Sequence, residues 1–164
     1  MKALTLQRPW PYAIFRLGKD FENRTWMPPA SVIGQRIAIH AGKKWDADGY
    51  DWIRSLGIAD KDDISRMEQD YARPVLGIVG TVLIPGFREQ ENTTSIWSMP
   101  YACCWELDTP IEFSAPIACP GKQRLWNVPT GFEHASQLAK MARNSLPMSG
   151  RIPRFYIPVS LVLG

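Results

Sequence analysis

Hydrophobic and polar positions divide the chain into short apolar runs separated by turn signals. The clearest run, Val75–Ile84, is near-continuously apolar, which predicts a strand covered on both faces and central to its sheet. Ala3–Leu6 reads as a short strand. Pro9 and Pro11 are tolerated only in the first turn of a helix, so a short helix follows, and Gly18 is a natural stop for it. Beyond Gly18 the chain reads as extended. Met27–Gly34 is a Pro- and Ser-containing loop, and Gln35–His40 is a strand whose partial alternation suits cover on both faces. Asp46–Leu56 reads as a helix capped by Asp46 and ended by Gly57. Asp60–Tyr71 reads as a second helix, acidic at its start as the helix dipole prefers. Ala102–Leu107, Ile111–Ile117, Arg124–Val128 and Phe155–Leu163 read as strands. Pro85–Pro100 reads as a long polar loop, and long loops in compact domains are often functional. Thr130-Gly131-Phe132-Glu133 matches a capping box for a helix running to about Ala142.

Many short strands mixed with a few helices argue for an α+β fold with a curved sheet or small barrel. At 164 residues, the chain is long enough for one domain with a real core, spanning 1–164. A net charge of +3 permits a nucleic-acid partner without demanding one, because no Lys/Arg block stands out. No apolar stretch approaches the length of a membrane span and none follows Met1-Lys2 as a signal peptide would, so no membrane partner is expected. Three cysteines, Cys103, Cys104 and Cys119, make a poor disulfide framework and suit a reduced, cytoplasmic setting. Their spacing to His40 or His134 matches no familiar zinc pattern, so no metal is expected.

The most informative segment is Gly18-Lys19-Asp20-Phe21-Glu22-Asn23-Arg24-Thr25-Trp26. In a strand, Glu22 and Arg24 point the same way, and Lys19 at the preceding turn can reach across to them. A carboxylate between two cations is a compact polar site with anion-binding capacity left over, suited to a phosphate or a base edge. The alternative reading is an ordinary strand-face ion pair, worth little if exposed.

The context of this segment resembles the ASCH domain, a branch of the PUA-like superfamily. Its signature is a strand ending near Gln-Pro-Trp, here within Gln7-Arg8-Pro9-Trp10, a short helix, and a Gly-Lys-x-x-Glu-x-Arg type motif, here Gly18, Lys19, Glu22 and Arg24. Arg36-Ile37-Ala38-Ile39-His40-Ala41-Gly42-Lys43, Gly77-Ile78-Val79-Gly80-Thr81-Val82 and Leu125-Trp126-Asn127-Val128 are similar to further blocks, so the resemblance is strongest over 1–129. It implies an α+β, PUA-like small curved β-barrel with peripheral helices. It also implies a partner that is RNA or a nucleotide or nucleoside derived from it, and chemistry without an organic cofactor.

Two function classes follow. In the first the protein is a binding module, in which Lys19, Arg24, Lys43 and Lys44 contact phosphates and Trp10, Trp26 or Trp45 offers a stacking face. In the second it is a small hydrolase, since ASCH relatives include ribonuclease-like proteins and amidohydrolases acting on acylated cytidine. Lys19 aligns with the catalytic Lys of those amidohydrolases, but Glu22 stands where they carry a Thr; the sequence does not place their distant Glu, for which Glu106 is one candidate. Glu22 can serve instead as a general base, with Lys19 or Arg24 stabilising an oxyanion. His40 is a further acid/base and site candidate because its unperturbed pKa lies near neutral. Gly77 and Gly80 lie inside a strand rather than at a phosphate-binding turn, which marks a close approach of backbone.

Overall fold

The computed structural model describes residues 1–89 and 93–128. The helix expected from Thr130, the strand Phe155–Leu163 and His134 lie outside the described residues. The described residues form eight strands and three helices: β1 Lys2–Arg8, α1 Trp10–Arg16, β2 Phe21–Arg24, β3 Gln35–Trp45, α2 Ala47–Ser55, α3 Lys61–Ala72, β4 Gly77–Ile84, β5 Phe87–Glu89, β6 Cys103–Glu106, β7 Asp108–Ile117 and β8 Leu125–Asn127.

These elements form an α+β fold with two open sheets, which corrects the expected barrel. The larger sheet has the order β7-β4-β3-β1-β8 and the smaller the order β2-β6-β5. Closure would need the two edge strands of one sheet to pair with each other. Here β1 is flanked on both sides, parallel to β3 and antiparallel to β8, so β2 finds no place beside it and pairs with β6 instead. The abundance of short strands is visible in sequence, but which edges meet depends on long-range pairing that no local pattern encodes. The middle of the larger sheet is β3 rather than β4. Ile37–Ala41 of β3 are all buried, as a strand covered on both faces requires, while β4 is an interior strand one place further out. The expected loop from Pro85 also holds a short strand, β5, paired with β6.

The helix signals act where the sequence puts them. Asp46 caps α2 by accepting from the Gly49 amide at 3.0 Å. Asp60 and Asp63 form a reciprocal capping box at the start of α3, satisfying two amides that the helix itself cannot. Leu4, Leu6, Ile14, Ile37, Ile39, Val82, Ile84 and Trp105 make the main core, joining the two sheets through α1. A second cluster, with Ala13, Phe21, Ile53, Met67, Trp97 and Cys104, binds α2 and α3 to the smaller sheet. Full burial of each such aliphatic side chain contributes about 1.5–3 kcal/mol, so β2 and α1 are clamped from two directions. Among the described residues, no helix is long and apolar enough to cross a membrane.

Gly80 is where α1 and β7 press closest on β4: a Cβ there would collide with the Ile111 carbonyl oxygen and the Phe15 ring. Gly80→Ala should therefore destabilise the fold by about 1–3 kcal/mol, since backbone on one side and a packed ring on the other leave no room to yield. Urea unfolding monitored by tryptophan fluorescence measures this, and an unchanged midpoint would contradict the packing described.

Candidate functional site

The site is assembled at the exit of α1. Gly18 adopts φ +73°, the left-handed region that glycine enters without strain. This sharp turn lets the Lys19 amide donate back to the Ala13 carbonyl at 3.0 Å and aims the chain into β2. The smaller sheet fixes β2 in register, with Glu22 opposite Trp105 and Arg24 opposite Cys103. Strand alternation then puts Glu22 and Arg24 on one face.

Lys19, Glu22 and Arg24 meet as the sequence predicts. Lys19 Nζ lies 3.4 Å from Glu22 Oε2, and Arg24 Nη2 lies 3.1 Å from Glu22 Oε1. The cluster is not an exposed surface pair: Lys19 is 4 % and Glu22 7 % exposed. The Lys19 ammonium also donates to the Phe21 carbonyl. It lies 5.3 Å from the Trp10 ring centre and 5.9 Å from that of Trp97, at cation–π range. Burial pushes the Lys19 ammonium below its ordinary pKa, and the Glu22 carboxylate offsets part of that shift. Arg24 is the more accessible cation, with its side chain 24 % exposed. Its buried Nε has no hydrogen-bond acceptor among the described residues.

These groups line a cleft of about 300 Å³ together with Trp10, Asp46 and Met99. The edge of β1, at Thr5–Gln7, forms another part of its wall. Trp10 is anchored, because its indole Nε1–H donates to Asp46 Oδ2 at 2.8 Å. One aspartate thus caps α2 with one oxygen and fixes an aromatic wall with the other. Met99 comes from the loop after β5, which Asn23 staples to β2. The Asn23 amide donates to the Trp97 carbonyl at 2.8 Å and accepts from the Met99 amide at 3.1 Å. Ser95 adds a hydrogen bond to Asp20 at 2.5 Å.

The remaining residues singled out from sequence lie elsewhere. His40 is buried in β3, with Nε2 3.0 Å from the Cys119 carbonyl and its ring edge-on to Trp126. Lys43 and Lys44 are exposed on β3 and do not line the cleft. Trp26 packs edge-on against Trp105 with ring centres 4.6 Å apart, and Trp45 packs on Tyr50 and Tyr71. Glu106 forms an ion pair with Arg88 at 2.5 Å. The cysteines are free thiols, and burial pushes those of Cys103 and Cys119 up, away from thiolate reactivity. Among the described residues, no group of three or more His, Cys, Asp or Glu side chains is placed to hold a metal ion. Asn23, Asp46 and Met99 are the site residues that sequence reading does not assign. Only Asp46 carries a local signal, its capping position, and that signal concerns α2 rather than the cleft.

No protein-family model matches this chain, and no curated protein matches it. The ASCH resemblance of the opening motifs gains no support from either comparison, and the open sheets remove its barrel.

The burial of Lys19 has a pH signature. Its folded pKa lies below its unfolded value of about 10.4. Between those two values the unfolded chain binds more protons, so the Lys19 contribution to stability rises with pH. Wild type should gain stability relative to Lys19→Met as pH is raised from neutral towards 10. Paired thermal melts across that range test it, and a relative loss by wild type would contradict the assigned burial.

Proposed function

We propose that the cleft binds one nucleoside or nucleotide unit, either free or presented by an RNA strand. The supporting observation is the convergence of Lys19, Glu22 and Arg24 with the anchored Trp10 indole in one concave space, rather than on an open basic face. A cleft of about 300 Å³ is at the small end of ligand sites, enough for a base and its sugar but not for several bases. Trp10 offers a face for stacking and Arg24 a directional donor set for a base carbonyl or a phosphate oxygen. Glu22 has both oxygens engaged by cations, which suits a role in orienting Arg24. A cytoplasmic location goes with this reading.

Titration of the four ribonucleosides, their 5′-monophosphates and short RNA and DNA oligonucleotides, followed by tryptophan fluorescence, tests the proposal. Saturable binding of a nucleoside or mononucleotide is expected, lost at least tenfold in Arg24→Ala and weakened in Trp10→Ala. Lys43→Ala should leave nucleoside affinity unchanged, and flatten the salt dependence for oligonucleotides only if their backbone crosses β3. No measurable binding of any of these at low salt would overturn the reading.

A hydrolytic reading rests on a separate observation, the lowered proton affinity of Lys19 beside a carboxylate. Glu22→Gln separates the two. If Glu22 orients Arg24, the isosteric amide keeps binding and costs little in any turnover of RNA or acylated cytidine. If Glu22 is a general base, the loss should be about a hundredfold to ten-thousandfold with binding intact. The engaged carboxylate favours the first result. Wild-type turnover that disappears in Glu22→Gln, with ligand still bound, would establish the second.

A further inference from the structure

A larger cavity, about 760 Å³, lies on the other side of α1. The helix separates the two spaces: Trp10 lines the cleft, while Tyr12, Phe15 and Arg16, at i, i+3 and i+4, line the cavity. The facing wall is α3 and its C-cap. Arg66, Gln69, Asp70 and Arg73 fall at i, i+3, i+4 and i+7, so one polar, largely exposed face of the helix and its C-cap borders the cavity. Val79 of β4 and Val75 before it add apolar surface next to Phe15.

The charges in this cavity do not cancel. Asp70 is occupied: its Oδ2 lies 3.4 Å from Arg8 Nη1, and its Oδ1 accepts from the Val75 amide at 2.8 Å. Arg8 is fully committed to the fold, buried and donating to the Gly42, Lys43 and Asp70 carbonyls. Glu112 is ion-paired to Arg16 at 2.6 Å. The Tyr12 hydroxyl donates to Asp63 at 2.7 Å, and burial with that bond keeps the phenol protonated. Among the described residues, the Arg66 and Arg73 guanidiniums form no hydrogen bond or ion pair, so two guanidiniums on one wall keep their donors available there.

We propose that this cavity is a second ligand site that takes a small organic phosphate, its phosphate held by Arg66 and Arg73 and its apolar body against Phe15 and Val79. Two free guanidiniums match the charge of about −1.5 to −2 on a phosphate monoester at neutral pH, whereas a single carboxylate would leave one unpaired. The volume exceeds what an inorganic anion fills and falls within the range of small-molecule sites. The cavity and the first cleft share no lining residue, so occupancy of one does not depend on what fills the other.

Amide NMR on the full chain, titrated with phenyl phosphate, tests this. Shifts are expected at Tyr12, Phe15, Arg66 and Arg73, with Lys19 and Glu22 unmoved. Benzyl alcohol and inorganic phosphate should each bind at least tenfold more weakly, since each carries only half of the recognised chemistry. The double variant R66Q/R73Q, exposed on α3 and outside the core, should fold normally and lose at least tenfold in affinity. Shifts confined to the first cleft, equal affinity for inorganic phosphate, or unchanged affinity in the double variant would each overturn the proposal.

Discussion

Two cations share one buried carboxylate beside the cleft, and the shape of the site depends on that arrangement. Removing a lysine from water is costly unless an opposite charge and further hydrogen-bond acceptors replace the lost hydration. Glu22 supplies the charge, the Phe21 carbonyl supplies an acceptor, and the Trp10 and Trp97 rings supply polarisable walls. Breaking such a cluster from one side leaves an uncompensated buried charge, typically at a cost of about 3–5 kcal/mol. The triad therefore constrains everything around it: the turn at Gly18, the register of β2 on β6, and the loop that Asn23 ties down over Trp97.

The same constraint separates structure from ligand chemistry within three residues. Lys19 and Glu22 are nearly excluded from solvent and hold each other in place, whereas Arg24 keeps a solvent-facing part and donor capacity that no described residue uses. Affinity in the cleft would come from Arg24 and Trp10, with the buried pair acting as the rigid base on which they stand. Across α1 the arrangement is reversed. Arg8 and Arg16 are spent on Asp70, Glu112 and backbone carbonyls, and the available cations are carried by α3. A short helix thus divides two cavities of different size and charge logic.

How much of this is legible in the sequence depends on the range of the interaction. Local signals are reliable: the Asp46 cap, the Asp60 start of α3, the stop at Gly18 and the buried run of β4 all act within a turn or a strand. The charged trio is legible for the same reason, because period-2 alternation and one tight turn bring it together. Pairing between distant strands is not. Nothing local to β1 states that β8 occupies its second edge, and that contact is what leaves the sheets open. His40 and Lys43 lie in a motif that looks functional, yet tertiary packing sends one against Cys119 and Trp126 and leaves the other on the surface away from the cleft. Asp46 shows the converse, a capping residue whose second oxygen anchors Trp10 across 36 positions of sequence.

The Glu22 carboxylate holds a buried lysine, Lys19, at the base of the cleft. Heteronuclear NMR of the Lys19 side chain, following its 13Cε shift with pH in wild type and Glu22→Gln, tests it most directly. Lys19 should titrate below the ordinary lysine value in wild type, and lower still in the variant, because desolvation then acts without its opposing charge. Titration at the ordinary lysine value, or a value that the Gln substitution leaves unmoved, would contradict the account.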